Sequence, residues 1–154
     1  MKSLEHVIYA SVADHSLTEV ELAELLQKAR KDNEHAGLTG MLLHGAFDGS
    51  FFQVLEGNAE AIDRLMAKIM VDKRHSHVTQ IIREPIVRRS FQRWTMGFNS
   101  VSAPQLISLP EFNDFFQAGS CFTDLDPGRA KKLLAAFGQG RWRPKQLGGL
   151  FKAA

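Results

Sequence analysis

Phe51-Phe52-Gln53-Val54-Leu55-Glu56-Gly57 is a short apolar run interrupted by one amide, closed by Gly57 and Asn58, and its length and composition make it an interior strand. Gln53 is then an inside residue. Burying an amide without hydrogen bonds costs about 1–3 kcal/mol on mutational scales, so a polar side chain or a bound ligand must lie against it. Tyr9, in the apolar run Val7-Ile8-Tyr9-Ala10-Ser11, imposes the same requirement. The two can satisfy each other, or both can face a ligand.

The neighbouring elements follow from turn and cap signals. A strand at about 5–11 leads into Thr18-Glu19-Val20-Glu21, a capping box in which the Thr18 hydroxyl and the Glu21 carboxylate satisfy free amides. The helix that begins there repeats Leu22, Leu25, Leu26 and Ala29 on one face, continues it at Asn33, and closes at Gly37. A second amide therefore points inward. Leu38 to His44 form a strand, Gly45 to Ser50 a Gly/Asp turn, and Phe51 to Glu56 the returning strand of a hairpin. Asn58 caps a helix from about Ala59 to Val71 with Ile62, Leu65, Met66 and Ile69 as its buried stripe. After the polar loop Asp72 to His77, strands are predicted near Val78 to Arg83 and Gln92 to Phe98.

The order is β-α-β-β-α-β-β, an α/β (α+β) arrangement of the ferredoxin-like type with one added strand and both helices on one face of the sheet. Val7 to Ala10, Met41 to Leu43 and Phe51 to Leu55 are apolar at odd and even positions alike, so the other face must also be covered. The C-terminal segment supplies the cover. Two helices are predicted there, within Ala103 to Gln117 and Pro127 to Phe137, carrying Leu106, Leu109, Phe112, Phe116, Leu133, Leu134 and Phe137.

The chain has 154 residues, 44% of them hydrophobic, which suits one domain with one core. No signal region and no stretch of ~18 uninterrupted apolar residues is present, so a soluble, cytoplasmic protein without membrane contact is expected. The lone Cys121 excludes an internal disulfide and a thiol-based metal site, and reads as a buried structural thiol. Residues 1–126 carry 12 Lys/Arg against 17 Asp/Glu, net −5, while residues 127–154 carry seven Lys/Arg and no acid, net +7. Such a basic tail is either solvated or attracts an acidic partner, nucleic acid or anionic lipid.

Pleat parity gathers the polar groups. Val7, Tyr9 and Ser11 share a face of their strand, as do Phe51, Gln53 and Leu55, and as do Trp94, Met96 and Phe98. With Asn33 facing the sheet, these residues surround a pocket with aliphatic walls and polar edge groups, which suits a flat heteroaromatic ligand. No Ser-His-Asp order, HExxH, Walker loop or carboxylate pair points to an enzyme. His75 and His77, in the polar loop, read as surface or ligand-edge groups, and no metal site is expected.

Tyr9-x-Ser11, Asn33 with Gly37-Leu38-Thr39-Gly40, Phe52-Gln53-Val54-Leu55-Glu56-Gly57, Asp72-x-Arg74-His75 and Trp94-x-Met96, in this order, together resemble the BLUF domain, a family of blue-light sensors using flavin. The resemblance spans residues 5 to about 100. It implies a non-covalently bound flavin, FAD with FMN or riboflavin as alternatives, lying between the two helices. It implies that Gln53 reads the N5/O4 edge of the ring and that Tyr9 bonds Gln53. It further implies that Asn33 holds the O4/N3 edge, that Leu25 and Ile69 sandwich the ring, and that Ser11, Trp94 and Met96 belong to the site. Lys68, Asp72, Arg74 and His75 correspond to the outer rim, where a cation either meets the ribityl-phosphate arm or is merely solvated.

In the family, light resets the hydrogen bonds of Tyr9 and Gln53 around the flavin, shifts its absorption slightly to the red without a covalent adduct, and passes the change through the strand of Trp94 and Met96. Those two residues are otherwise plain core. The hairpin turn Gly45 to Ser50 is about two residues longer than is usual in the family, and Asp32 stands where a ring-edge Asn or His often sits. The resulting division is a sensor domain at 1–100, a helical cap at 101–138 and a basic tail at 139–154. With no cyclase, phosphodiesterase or DNA-binding motif following, action through a homo-oligomer or a separate downstream protein is expected. An RNA-binding or small-ligand module of the same plan is the rival, but both sheet faces are apolar and the body is acidic, which disfavours nucleic acid. An acylphosphatase-like enzyme would need a phosphate-cradling loop that is missing.

Overall fold

The computed structural model describes residues 3–13, 17–45, 48–71, 75–92, 96–101, 115 and 122–138. Among them, the strands β1 (Leu4–Ala13), β2 (Thr39–Gly45), β3 (Ser50–Asn58), β4 (His75–Pro85) and β5 (Gly97–Val101) form one sheet in the order β4-β1-β3-β2-β5. The helices α1 (Glu19–Ala36) and α2 (Ala59–Val71) connect β1 to β2 and β3 to β4, and α3 (Pro127–Gly138) follows the sheet. All pairings are antiparallel except that of β2 with β5, as expected for a ferredoxin-like sheet with one added strand.

Local chemistry sets the boundaries. Thr18 caps α1 with both bonds of the capping box, at 3.1 Å to the Glu21 amide and 3.0 Å back from the Glu21 carboxylate. Gly37 ends the helix at φ 71°, a left-handed position that a side chain would strain. Asn58 caps α2 through a 2.9 Å bond from the Ala61 amide, and Asp126 caps α3 at 2.8 Å from the Arg129 amide, with Pro127 at the first helical position. Gly40 is required for closeness rather than for φ. A Cβ there would lie 2.0 Å from the Val54 carbonyl oxygen, so β2 approaches β3 only as glycine.

Two apolar layers enclose the sheet. On one side Val7, Leu42 and Leu55 pack with Leu22 and Leu26 of α1 and Ala61, Ile62 and Met66 of α2. On the other, Ile8, Ala10, Met41, Leu43, Phe52 and Val54 pack against Phe122, Leu125, Ala130, Leu133 and Ala136. The alternation of β1, β2 and β3 between these layers explains why their sequences are apolar at every position, and α3 covers the second face as expected. Leu26, Ile62 and Leu133 are fully buried, each stabilising the fold by about 1.5–3 kcal/mol. A polar chain ties the same layers: His6 of β1 lies 2.9 Å from Glu84 of β4, and Glu84 lies 3.1 Å from Lys131 of α3.

Two expectations change. β5 occupies Gly97–Val101 rather than 92–98: Phe91 and Gln92 lie in a turn, and the Met96 carbonyl accepts from Arg30 Nε at 2.9 Å rather than joining a ladder. Pairing with β2 starts at Gly97, opposite Met41. β4 begins at His75 rather than Val78, because Ser76 and His75 pair with Val12 and Ala13 despite their polarity. The helix expected within 103–117 lies outside the described residues, except Phe115, over whose ring Arg129 stacks at 4.9 Å. Cys121 and the tail at 139–154 are likewise outside.

Candidate functional site

The cleft that holds the predicted polar residues opens between α1, α2 and the sheet, and the ladder builds its floor. Tyr9 of β1 is the register partner of Gln53 of β3, which in turn opposes Leu42 of β2, itself opposite Phe98 of β5. One row of side chains thus crosses four strands. In the next row Ser11 opposes Phe51 and Phe51 opposes His44. Tyr9, Ser11, Leu42, Phe51 and Gln53 line the floor, while Leu25 and Asn33 of α1 and Leu65 and Ile69 of α2 form the walls.

Hydrogen bonds order the floor. The Tyr9 hydroxyl donates to Gln53 Oε1, and Gln53 Nε2 donates to the Met96 thioether at 3.4 Å. Both ends of the amide are engaged, which answers the requirement raised by its place in an apolar strand. Tyr9, Ser11 and Asn33 are buried, and Gln53 is half-buried beside the cleft. Further along β2, His44 Nδ1 lies 3.3 Å from Ser100 Oγ and its ring is 5.0 Å from that of Phe51. Burial pushes the His44 pKa down, more than the nearby Asp48 raises it.

Of the predicted residues, Tyr9, Ser11, Leu25, Asn33, Gln53, Lys68 and Ile69 come together around the cleft. Met96 is buried beneath it and touches Gln53. Asp72, Arg74 and Trp94 lie outside the described residues; His75 opens β4, and its side chain is likewise outside. Sequence reasoning missed Lys28 as a lining residue, while Ala29, noted on the inward helix face, and Asp32, noted at the ring-edge position, also line the cleft. The signal for Lys28 was the helical spacing itself, since 25, 28, 29, 32 and 33 share one face of α1. Asp32 reaches the cleft at an exposed position, beside the position of Asn33.

An aliphatic slot, a floor of convergent donors and acceptors, and the exposed cations Lys28 and Lys68 at its mouth fit a flat heteroaromatic ring with a phosphate-bearing arm. Among the described residues no group of His, Cys, Asp and Glu is arranged to hold a metal, and no helix is long and apolar enough to cross a membrane. Fold and site together define a ferredoxin-like module with a cleft shaped for such a ligand.

The chain belongs to the BLUF family: the family's profile, described as "Sensors of blue-light using FAD", matches residues 4–97. That family is one of blue-light sensors using flavin. Photoactivated adenylate cyclase subunit beta of Euglena gracilis is 30% identical over 126 residues, 80% of this chain and 14% of the relative. Subunit alpha from the same organism is 32% identical over 119 residues, 77% of this chain and 11% of the relative. The chain thus spans a small part of these curated relatives. Among solved structures, BlsA in its ground state superposes with a TM-score of 0.76 at 26% identity, covering 94% of this chain and 92% of BlsA. BlrB, a BLUF protein in its dark state, gives 0.71 at 26% identity, covering 90% and 98%.

Proposed function

We propose that this protein signals blue light by a hydrogen-bond switch in which Tyr9 and Gln53 exchange donor and acceptor roles around a non-covalently bound FAD. The observation that carries the reading is the continuous chain from the Tyr9 hydroxyl through both ends of the Gln53 amide to Met96. Flavin supplies the absorption of blue light and an excited state that oxidises a nearby phenol. Tyr9 is the single tyrosine of the chain, which makes it the phenol that releases an electron and a proton and then recovers both.

The amide can respond by rotation or tautomerisation. Rotation would bring Nε2 to the Tyr9 oxygen and Oε1 to the Met96 side, so the weakly accepting thioether loses its donor. Asn33 orients the ring edge, Leu25 and Ile69 clamp its faces, and Lys68 neutralises the phosphate arm. FAD is favoured over riboflavin because its phosphates give the exposed cations Lys28 and Lys68 an anion to meet.

Output follows from what the second face carries. The change at Met96 enters β5 and the sheet, and α3, joined to β4 through Lys131 and Glu84, presents it to a separate cytoplasmic protein or to a second copy of the chain. Residues 1–100 act as sensor and 101–138 as cap. Purified protein should be yellow, release FAD on denaturation and show a small, reversible red shift under blue light. A colourless protein that takes up no flavin refutes the proposal.

A further inference from the structure

Arg30 sits on α1 next to Ala29, with Asn33 three residues on, and both of those neighbours line the cleft while Arg30 does not. Its half-buried guanidinium instead turns to the start of β5, where Nε donates to the Met96 carbonyl at 2.9 Å. Met96 is therefore held at two atoms by two elements: its carbonyl by α1 and its thioether by the Gln53 amide of β3, at 3.4 Å. The carbonyl bond falls at the bend before Gly97, one residue short of the ladder with β2, whose register runs from Gly97 to Val101. Arg30 thus fixes the chain where the sheet does not yet hold it.

We propose that Arg30 is a positioning residue of the light switch: by holding the Met96 carbonyl it keeps the thioether seated on the Gln53 amide and so sets the lifetime of the light state. The inference rests on the Tyr9–Gln53 switch. For the amide to return to its dark arrangement, Met96 must yield and then reseat on Nε2. A carbonyl held by a charged donor stiffens that seat, because charge-assisted hydrogen bonds are the stronger class. Releasing it lowers the barrier to reseating. Arg30 also links the switch to α1, a second route for the signal beside β5.

Arg30→Met and Arg30→Lys, compared with the wild type in the FAD-loaded full chain, test this through dark recovery of the shifted band after a blue pulse. Arg30→Met is expected to keep flavin and the red shift but to recover faster by on the order of tenfold. Arg30→Lys, which restores a charged donor, is expected to return most of the wild-type lifetime. In a Met96→Leu background, which has no thioether to seat, Arg30→Met should change recovery little. A wild-type recovery rate in Arg30→Met, or equal effects with and without Met96, overturns the role of Arg30 while leaving the switch standing. A wild type with no light-induced shift overturns both. Should Arg30→Met fail to fold, Arg30→Lys and Arg30→Gln decide: Lys must recover more slowly than Gln, and equal rates contradict the proposal.

Discussion

Tyr9 and Gln53 are register partners on adjacent antiparallel strands, and the phenol of one donates to the amide oxygen of the other at the floor of the cleft. Neither side chain needs a loop to bring it to the other. The ladder does so, and the same ladder sets Leu42 and Phe98 behind them. A switch built on rigid elements starts from one defined arrangement, which is what a small change of hydrogen bonding requires to be readable.

Gln53→Leu tests the amide. Leucine fills the space but offers neither donor nor acceptor, so flavin should stay bound while the light-induced shift disappears. A difference spectrum under blue light measures this. A surviving shift removes the amide from the switch.

Asn33→Ala should act on binding. Asn33 is buried against the cleft, and losing buried edge bonds costs about 1–3 kcal/mol, which raises Kd for FAD roughly 5- to 150-fold. Fluorescence titration of the apoprotein with FAD reads it. Unchanged affinity would make Asn33 a helix-end amide only.

Glu56 predicts stability rather than photochemistry. Its buried carboxylate accepts from the amides of Ser90 at 2.6 Å and Phe91 at 2.9 Å and from the Thr39 hydroxyl at 3.0 Å. Arg89 adds bonds to Thr39 Oγ1 and to the Glu56 and Gly37 carbonyls. Glu56→Ala strands the buried Phe91 amide and should cost about 2–4 kcal/mol in urea denaturation, with Glu56→Gln losing less. A change below about 0.5 kcal/mol contradicts this account of the loop.

His44 predicts a pH dependence. Burial lowers its pKa in the fold below the ordinary 6.5, so between the two values the unfolded chain binds more protons. Stability therefore rises with pH across that window and falls as pH drops below 6.5. Glu84, held below 4.5 by its bond to His6 and then by Lys131, contributes a separate loss at more acidic pH. His44→Gln should flatten the first window and leave the second, as thermal unfolding against pH would show. An unaltered profile just below pH 6.5 contradicts the assignment.

Most of the fold was legible because its signals are local. The capping box at Thr18, the Gly37 stop and the Asn58 cap placed α1 and α2, and two-sided apolarity in β1 to β3 required the cover that Phe122 and α3 provide. The site was legible through parity, which put Tyr9, Ser11 and Gln53 on one face. What escaped is non-local. Met96 looks like strand because its sequence is apolar, and only the reach of Arg30 from α1 reveals that its carbonyl is taken elsewhere. The polar start of β4 is strand because β1 extends far enough to pair with it.

The most direct test of the switch is the light-minus-dark absorption spectrum of Tyr9→Phe beside the wild type, both loaded with FAD. Phenylalanine preserves ring packing but removes the hydroxyl that donates to Gln53 and the one phenol available for oxidation. The wild type should show a reversible red shift and Tyr9→Phe none, at equal flavin content. A reversible shift of wild-type size in Tyr9→Phe would contradict the account.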